Sequence, residues 1–408
     1  MPDPEFPVQC DVAVIGAGPA GSACAQALAR AGLDVVVVDQ QVFPRDKTCG
    51  DGLIPDAHAA LRRLGVLDEV MARARRATHV RCTGPRGGQV DVPGTLAVLP
   101  RRELDHILLR AAERAGARTW MPARFEAPLV DGARVVGVRL RVDGGVHELR
   151  ARWVVLATGA VPQALIAAGM CTRRTPSGVA LRGYVENAAM VGQIDRLEIV
   201  WHPRLRGGYG WIFPCPDGVF NIGAGLTGSH AVEAGDGRYR MQDLNLRSMF
   251  DAFCAIHPPA ARLMAGGTLR GRLEGAPLRC SLGGARWSRP GLLVTGEAAG
   301  STYAFSGEGI GKALETGLLA AEALAGARSA SDDERCARYE AGLTALKPRF
   351  ALYEKAAHVN HRPWLTDLVI WRARRSPAIL RRMSGVLEET QNPGRLLSWR
   401  GITKLMFE

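Results

Sequence analysis

Lysine is scarce in this 408-residue chain, which has only Lys47, Lys312, Lys347, Lys355 and Lys404. The other 47 of its 52 basic residues are arginine, set against 40 acids for a net charge of +12. Such arginine use, with abundant alanine and glycine, has two readings: a GC-rich coding sequence, or a preference for anionic partners such as phosphate, lipid headgroups or nucleic acid. Paired cysteines are also lacking. The nine cysteines (10, 24, 49, 82, 171, 215, 254, 280 and 336) are odd in number and contain no CxxC, which excludes a disulfide framework and a zinc ribbon. The first ten residues, MPDPEFPVQC, have no apolar core of a secretory signal, so the expected location is a reducing cytoplasm. Long hydrophobic runs are missing as well. VVVV at 35–38 is far too short to span a bilayer, so any membrane contact is expected to be peripheral, at the inner face.

What is present has the make-up of an ordinary soluble globular protein, 47% hydrophobic and 23% charged. At ~150 residues per domain the length allows two or three domains and a deep cleft. The first forty residues carry the strongest signal. DVAVI (11–15) reads as a buried strand, GAGPAG follows, SACAQALARAG reads as a helix and VVVVD (35–39) as a second strand. In this βαβ unit Gly16 allows the tight turn, Gly18 lets the backbone approach a pyrophosphate, and Gly21 lets helix and strand pack closely. Asp39 stands 23 residues after Gly16, where an acid can accept hydrogen bonds from an adenosine ribose. The alternative is a glycine-rich turn with no ligand.

Later segments choose between NAD and FAD. RRELDHILLRAAERAGA (101–117) reads as an amphipathic helix opening on an arginine, and WVVLATGA (153–160) as a buried strand ending in Ala157, Thr158 and Gly159. After a long insertion, GLLVTGEAAG (291–300) forms another strand and glycine turn and runs on into GEGIGKALETGLLAAEAL. A cofactor touched by all these segments is long and extended, which suits FAD. Together they resemble the FAD-dependent glutathione-reductase-type fold shared by aromatic hydroxylases, flavin halogenases and prenyl reductases.

Within that superfamily the chain most resembles the geranylgeranyl reductase family. Three segments carry the resemblance: PRDKTCGDGL (44–53), GGYGWIFPCPDGVFNIGAG (207–225) and GEAAGSTYAFSGEGIGKALETG (296–317). Two positions depart from the family pattern, Glu297 where it usually has Asp and Ala304 where it usually has Pro. The resemblance implies an α/β fold, with a Rossmann-like FAD-binding domain (1–160 and 274–330), an inserted, mostly antiparallel β-sheet substrate domain (161–273) and a basic helical C-terminal region (331–408). It implies FAD contacts from Gly16, Gly18, Gly21, Asp39, Arg45, Lys47, Cys49, Gly50, Arg101, Thr158, Gly159, Gly296, Glu297, Gly307, Gly309 and Ile310. Cys49, Tyr209 and Trp211 would serve the chemistry, with no metal. Free N–H groups where Gly307, Gly309 and Gly311 open a helix would stabilise negative charge on reduced flavin, with Lys312 adding to that field or standing solvated on the surface. Taken without the family, Cys49 is one more small buried apolar residue.

Tyr209, Trp211 and Phe213 alternate and so share one face, either as a core stripe or as a pocket wall. GAGLTG (223–228) is formally a second GxGxxG, but SHAVEAGDG follows it instead of an amphipathic helix. NAD(P)H or another reductant would therefore bind only transiently. His358 and His361 lack the neighbours of a metal site. From Lys347 onward the tail holds 12 basic residues against 5 acids. WLTDLVIWRARRSPAILRRMSGVL (364–387) patterns as an interfacial helix, tryptophan and leucine on one face and arginine on the other, or as a helix docked on the protein's own core with a solvated basic rim. Nucleic-acid binding has no accompanying motif. The expected activity is FAD-dependent reduction of isoprenoid carbon–carbon double bonds in a lipophilic substrate, geranylgeranyl or prenyl-quinone-like. The alternatives are a flavin monooxygenase or halogenase acting on a small natural product, and a non-catalytic flavin-binding module.

Overall fold

A computed structural model describes residues 8–205, 207–228, 244–326 and 329–389. The SHAVEAGDG segment and the last nineteen residues of the tail lie outside them. Two eight-stranded sheets organise the chain. The first runs Ser288–Arg289, Leu292–Val294, Gly145–Leu156, Gln9–Ile15, Val35–Val38, Arg118–Trp120, with Arg124–Asp131 and Arg134–Val142 joined at its side. Its central pairings, Gln9–Ile15 with Val35–Val38 and with Gly145–Leu156, are parallel. Parallel strands covered on both faces read as continuous apolar runs, and all four valines of Val35–Val38 are fully buried. The helix Pro19–Arg30 follows the first strand and packs on Ile310–Ala325 and Arg101–Arg114.

The second sheet runs Thr268–Leu278, Gly178–Glu186, Val219–Thr227, Tyr209–Pro214, Leu197–Trp201, Arg75–Thr83, Gln89–Val98, Gly52–Leu53. It is antiparallel except where Leu197–Trp201 lies beside Arg75–Thr83. Its strands come from 52–98 as well as from 178–278, so one continuous sheet crosses the boundary that the sequence suggested at residue 161. This matters for the site, because the Cys49 segment leads straight into the sheet's edge strand Gly52–Leu53. GAGLTG falls mostly within the buried strand Val219–Thr227, where a phosphate-binding turn has no place.

The C-terminal helices close over this framework. Asp332–Ala356 starts on a capping box, Ser331 with Glu334, and packs on Ile310–Ala325. Trp364–Ala373 and Pro377–Leu387 lie against the strands Arg75–Thr83 and Gln89–Val98. The leucine and tryptophan faces differ from the sequence expectation. Leu365, Ile370 and Ala373 are buried while Trp364 and Trp371 stand out on the arginine side, because two tryptophans seven residues apart share one helical stripe and the smaller apolar residues fill the opposite one.

Candidate active site

The tight turn after Gln9–Ile15 leaves the N-terminus of Pro19–Arg30 open, with no side-chain cap and no acid in its first turn. Gly16 has φ +107, and a Cβ there would run into the Ala157 carbonyl, while one on Gly21 would run into Gly16. Gly18 is different, for its nearest neighbours are the guanidinium ends of Arg101 and Arg45, each 3.9 Å from a built Cβ. Both arginines are held by one buried carboxylate: Asp105 takes a bidentate pair from Arg101 at 2.7 and 2.8 Å and lies 2.7 Å from Arg45. Burial disfavours the Arg101 charge, yet Asp105 and Cys49 beside it raise its pKa above the ordinary value. Asp39 accepts the Ala17 N–H at 2.8 Å, and burial pushes its carboxyl up despite that bond. The Thr158 hydroxyl, buried near the turn, has no partner.

A second polar cluster fixes the Cys49 loop. Asp51 is fully buried with φ +65. Its carboxylate accepts from Tyr184 Oη at 2.6 Å, Asn221 Nδ2 at 2.7 Å and the Arg101 N–H at 3.3 Å. Asn221 also donates to the Cys49 carbonyl at 2.7 Å and accepts from Trp211 Nε1 at 2.9 Å. Cys49 Sγ accepts the Asp51 N–H at 3.4 Å and is half-buried, not sealed in a core. Burial pushes Asp51 up to about 6, against the Tyr184 and Asn221 hydrogen bonds and the charges of Arg182 and Arg101. Gly50 and Gly52 lie against the Phe213 ring, so the alternating face of Tyr209–Pro214 supports this loop. Lys47 turns to the Thr48 carbonyl at 3.2 Å.

The third part is the turn before Ile310–Ala325. Glu297 accepts from Thr302 Oγ1 at 3.2 Å, and Gly296 and Gly307 have φ +66 and +71. Ile310 begins the helix and Gly309 is its N-cap. Tyr209 crosses from the second sheet and donates its hydroxyl to the Ser306 carbonyl. Burial, with the Asp56 charge next, pushes Glu308 up to about 8. Lys312 is neither solvated nor a free charge for the cofactor. It is 2% exposed and ion-paired with Glu315 at 2.7 Å, Glu389 at 3.1 Å and Asp56 at 3.5 Å. An ammonium on the buried side of the helix is stable only with such partners, and they spend its charge.

An open Gly18, paired guanidiniums flanking it, a carboxylate at the end of the second strand and an orphaned Thr158 hydroxyl fit an FAD laid from the Gly16–Gly21 turn towards Cys49 and Gly307. Residues 9–183 match the model of the FAD binding domain family. The chain is 36% identical over 345 residues to the menaquinone reductase of Mycobacterium tuberculosis, covering 77% of this chain and 76% of that one. The chain belongs to the geranylgeranyl reductase family. Digeranylgeranylglycerophospholipid reductase 2 of Methanopyrus kandleri, 32% identical over 338 residues, spans 80% of this family member and 79% of its own length. A geranylgeranyl bacteriochlorophyll reductase-like structure from Thermoplasma acidophilum shares the fold with a TM-score of 0.73 at 21% identity, over 99% of this chain and 97% of that one. The fold is common property, since a flavin-dependent brominase also reaches 0.73 at 19% identity, over 98% and 97% of the two chains.

The structure thus gathers the expected Gly16, Gly18, Asp39, Arg45 and Arg101 in one group and Cys49, Gly50, Tyr209, Trp211 and Gly307 in a second, and Arg101 joins the two through Cys49 and Asp51. Five residues escaped the sequence analysis: Asp51, Asp105, Tyr184, Arg182 and Asn221. Asp105 had a signal, since Arg101 and Asp105 are four apart on an amphipathic helix. Tyr184 and Asn221 had none, because their partner lies 133 and 170 residues away. Among the described residues no cluster of three metal-ligating side chains occurs.

Proposed function

We propose that this flavoenzyme reduces carbon–carbon double bonds in the prenyl chain of a lipid, with a prenylated quinone of the menaquinone type as the substrate class. The relatives named above as reductases of menaquinone and digeranylgeranylglycerophospholipid support the class. The observation that carries it is the aromatic wall beside the Cys49 loop. The Trp201 ring stacks on Phe305 at 6.5 Å and tilts against Tyr209 at 6.2 Å, and Tyr209 tilts against Trp211 at 6.1 Å. An unconjugated alkene is a poor hydride acceptor, so an apolar wall that aligns the bond and excludes water supplies rate by positioning.

FAD, when bound and reduced, supplies the hydride. The chain's own groups do the rest. The Gly16–Gly21 turn with Arg45 and Arg101 would hold the pyrophosphate, Asp39 the ribose, and the first amides of Ile310–Ala325 would face the electron-rich end of the flavin. Cys49, held by Asp51 and Asn221, shapes the floor under the reacting bond. The proton for the second alkene carbon is held on the Glu308 carboxyl, protonated at neutral pH and close to Tyr209. Electrons arrive from NAD(P)H or another reductant in a transient encounter. The setting is the cytoplasm, with the lipid substrate met at the membrane surface; among the described residues no helix is long and apolar enough to cross a membrane.

The test is single turnover of chemically reduced holoprotein with a prenylated quinone, read by mass spectrometry. A gain of two hydrogens in the side chain is expected. Gain of one oxygen in air, or of halogen with halide present, would move the activity to a monooxygenase or halogenase. Cys49→Ala should keep FAD but slow the reduction by at least tenfold, and unchanged turnover per bound FAD would return Cys49 to a packing role.

A further inference from the structure

The helix Trp364–Ala373 holds two tryptophans out of the protein. Trp364 is 58% exposed and Trp371 46% exposed, while Leu365, Ile370 and Ala373 on the opposite side are buried. Burial of a tryptophan is strongly favourable, so two exposed indoles on one stripe call for an environment other than water. Arginine surrounds them. The Arg375 guanidinium lies 4.6 Å and the Arg372 guanidinium 5.5 Å from the Trp371 ring centroid, and Arg362, Arg374, Arg381 and Arg382 are exposed on the same segment. Residues 357–387 contain six arginines and a single acid, Asp367. That acid is 16% exposed and turned inward to accept the Arg86 N–H. Arg86, 89% exposed, extends the basic surface from the neighbouring hairpin.

We propose that this face docks on a bilayer surface rich in anionic phospholipid, with Trp364 and Trp371 entering the headgroup region and Arg362, Arg374, Arg375, Arg381 and Arg382 pairing with lipid phosphates. Indoles prefer the interface because they are apolar in body and polar at the N–H, and arginine adds attraction that decays within a Debye length. The turn that leads into this helix is also tied to the aromatic wall. Asn360, in the turn leading into the tryptophan helix, donates to the Phe305 carbonyl at 3.0 Å and accepts from Trp201 Nε1 at 2.9 Å. A chain leaving the bilayer beside the helix therefore meets the wall of the cleft, a consequence that rests on the prenyl-reductase reading, whereas the docking itself does not.

The experiment is co-sedimentation of the full-length holoprotein with vesicles of equal parts phosphatidylglycerol and phosphatidylcholine, and with phosphatidylcholine alone, at low and high salt. The protein should pellet with the anionic vesicles at low salt and at least tenfold less with neutral ones. Trp364→Ser with Trp371→Ser should weaken binding at least tenfold, and so should Arg374→Gln, Arg375→Gln, Arg381→Gln and Arg382→Gln together, each set keeping parental FAD content and circular dichroism. Indole fluorescence should shift to the blue on binding and be quenched by brominated lipid. Protein that remains in the supernatant with every vesicle while folded and yellow overturns the proposal, as does binding that needs the arginines but not the tryptophans. Reduction of a short, detergent-solubilised prenyl substrate should be unaffected by either set of substitutions. Loss of that reaction in the parent would sink the reductase reading and leave the docking result standing.

Discussion

The two ends of the cleft are built by different means. At the end proposed for the phosphates, Gly16, Gly18, Gly21 and Asp39 lie within one βαβ unit, and backbone geometry does most of the work. At the end proposed to face the flavin, Cys49, Asp51, Tyr184, Trp211, Asn221 and Gly307 come from separate segments, and side-chain hydrogen bonds do the work. The backbone cradle admits no Cβ at Gly16 or Gly21 and keeps the space over Gly18 clear, whereas a side-chain network tolerates substitution and answers to pH. The two ends should therefore fail in different ways.

The largest effect is expected at the backbone end. Gly18→Val places a branched side chain between Arg45 and Arg101, where a pyrophosphate would lie. FAD affinity should fall at least a hundredfold, about 3 kcal/mol, read by fluorescence titration of apoprotein, with the fold retained because nothing else approaches that position. A variant that holds FAD like the parent would show that the phosphates lie elsewhere.

Next comes the carboxylate that serves both arginines. Asp105→Ala leaves two guanidiniums, 15% and 11% exposed, with no shared counter-charge. Breaking a buried pair in this way costs about 3–5 kcal/mol, so denaturant midpoints should drop clearly while FAD binding weakens less than in Gly18→Val. An unchanged midpoint would mean that both arginines find other partners.

This contrast also explains what the sequence could disclose. The parallel sheet, the dinucleotide turn and the helix after Gly309 were legible because each is a local pattern with a fixed period or spacing. The Asp51 clamp was not, since hydrogen bonds that span 133 and 170 residues leave no trace in spacing. The second sheet was placed too narrowly for a related reason: Gln89–Val98 and Arg75–Thr83 fell inside the span given to the FAD-binding domain, and only pairing with Leu197–Trp201 shows which sheet they serve. Lys312 was misjudged because one partner, Asp56, sits on a different helix and another, Glu389, lies 77 residues on.

At the side-chain end, Asp51→Asn keeps the size of the clamp but removes its charge. All three hydrogen bonds that Asp51 accepts then lose their ionic partner, and an amide N–H replaces an acceptor for at least one of the donors, a cost of about 1–3 kcal/mol. FAD should stay bound, which separates this variant from Gly18→Val. The parent's reduction rate should change through about pH 6 as Asp51 titrates, and the variant's profile should be flat there. The charged and titratable groups facing Asp51 are Arg101, Arg182, Tyr184 and Cys215, none of which titrates near that pH in the folded protein. A step at pH 6 that survives in Asp51→Asn would assign it to another group.

The last effect is the most specific. The Glu308 carboxyl stands at about 8 in the folded protein against an ordinary value of 4.5, so the folded state holds a proton that the unfolded state has already lost. The stability this gives is fully present below pH 4.5 and is lost as pH rises towards 8, with a slope of up to about 1.4 kcal/mol per pH unit. Asp51 and Asp56 are raised in the same sense, but only to about 6, so the interval from 6 to 8 isolates Glu308 among the three. His58 and His202 are lowered from 6.5 and act in the opposite sense, stability rising as their unfolded forms lose protons. The useful quantity is therefore the difference in unfolding free energy between parent and Glu308→Gln, measured by denaturant titration across pH 6 to 8. That difference should move steadily in favour of the glutamine variant as pH rises. A constant difference would mean that Glu308 is ionised throughout, and the proton assigned to it near Tyr209 would then have to be carried by another group.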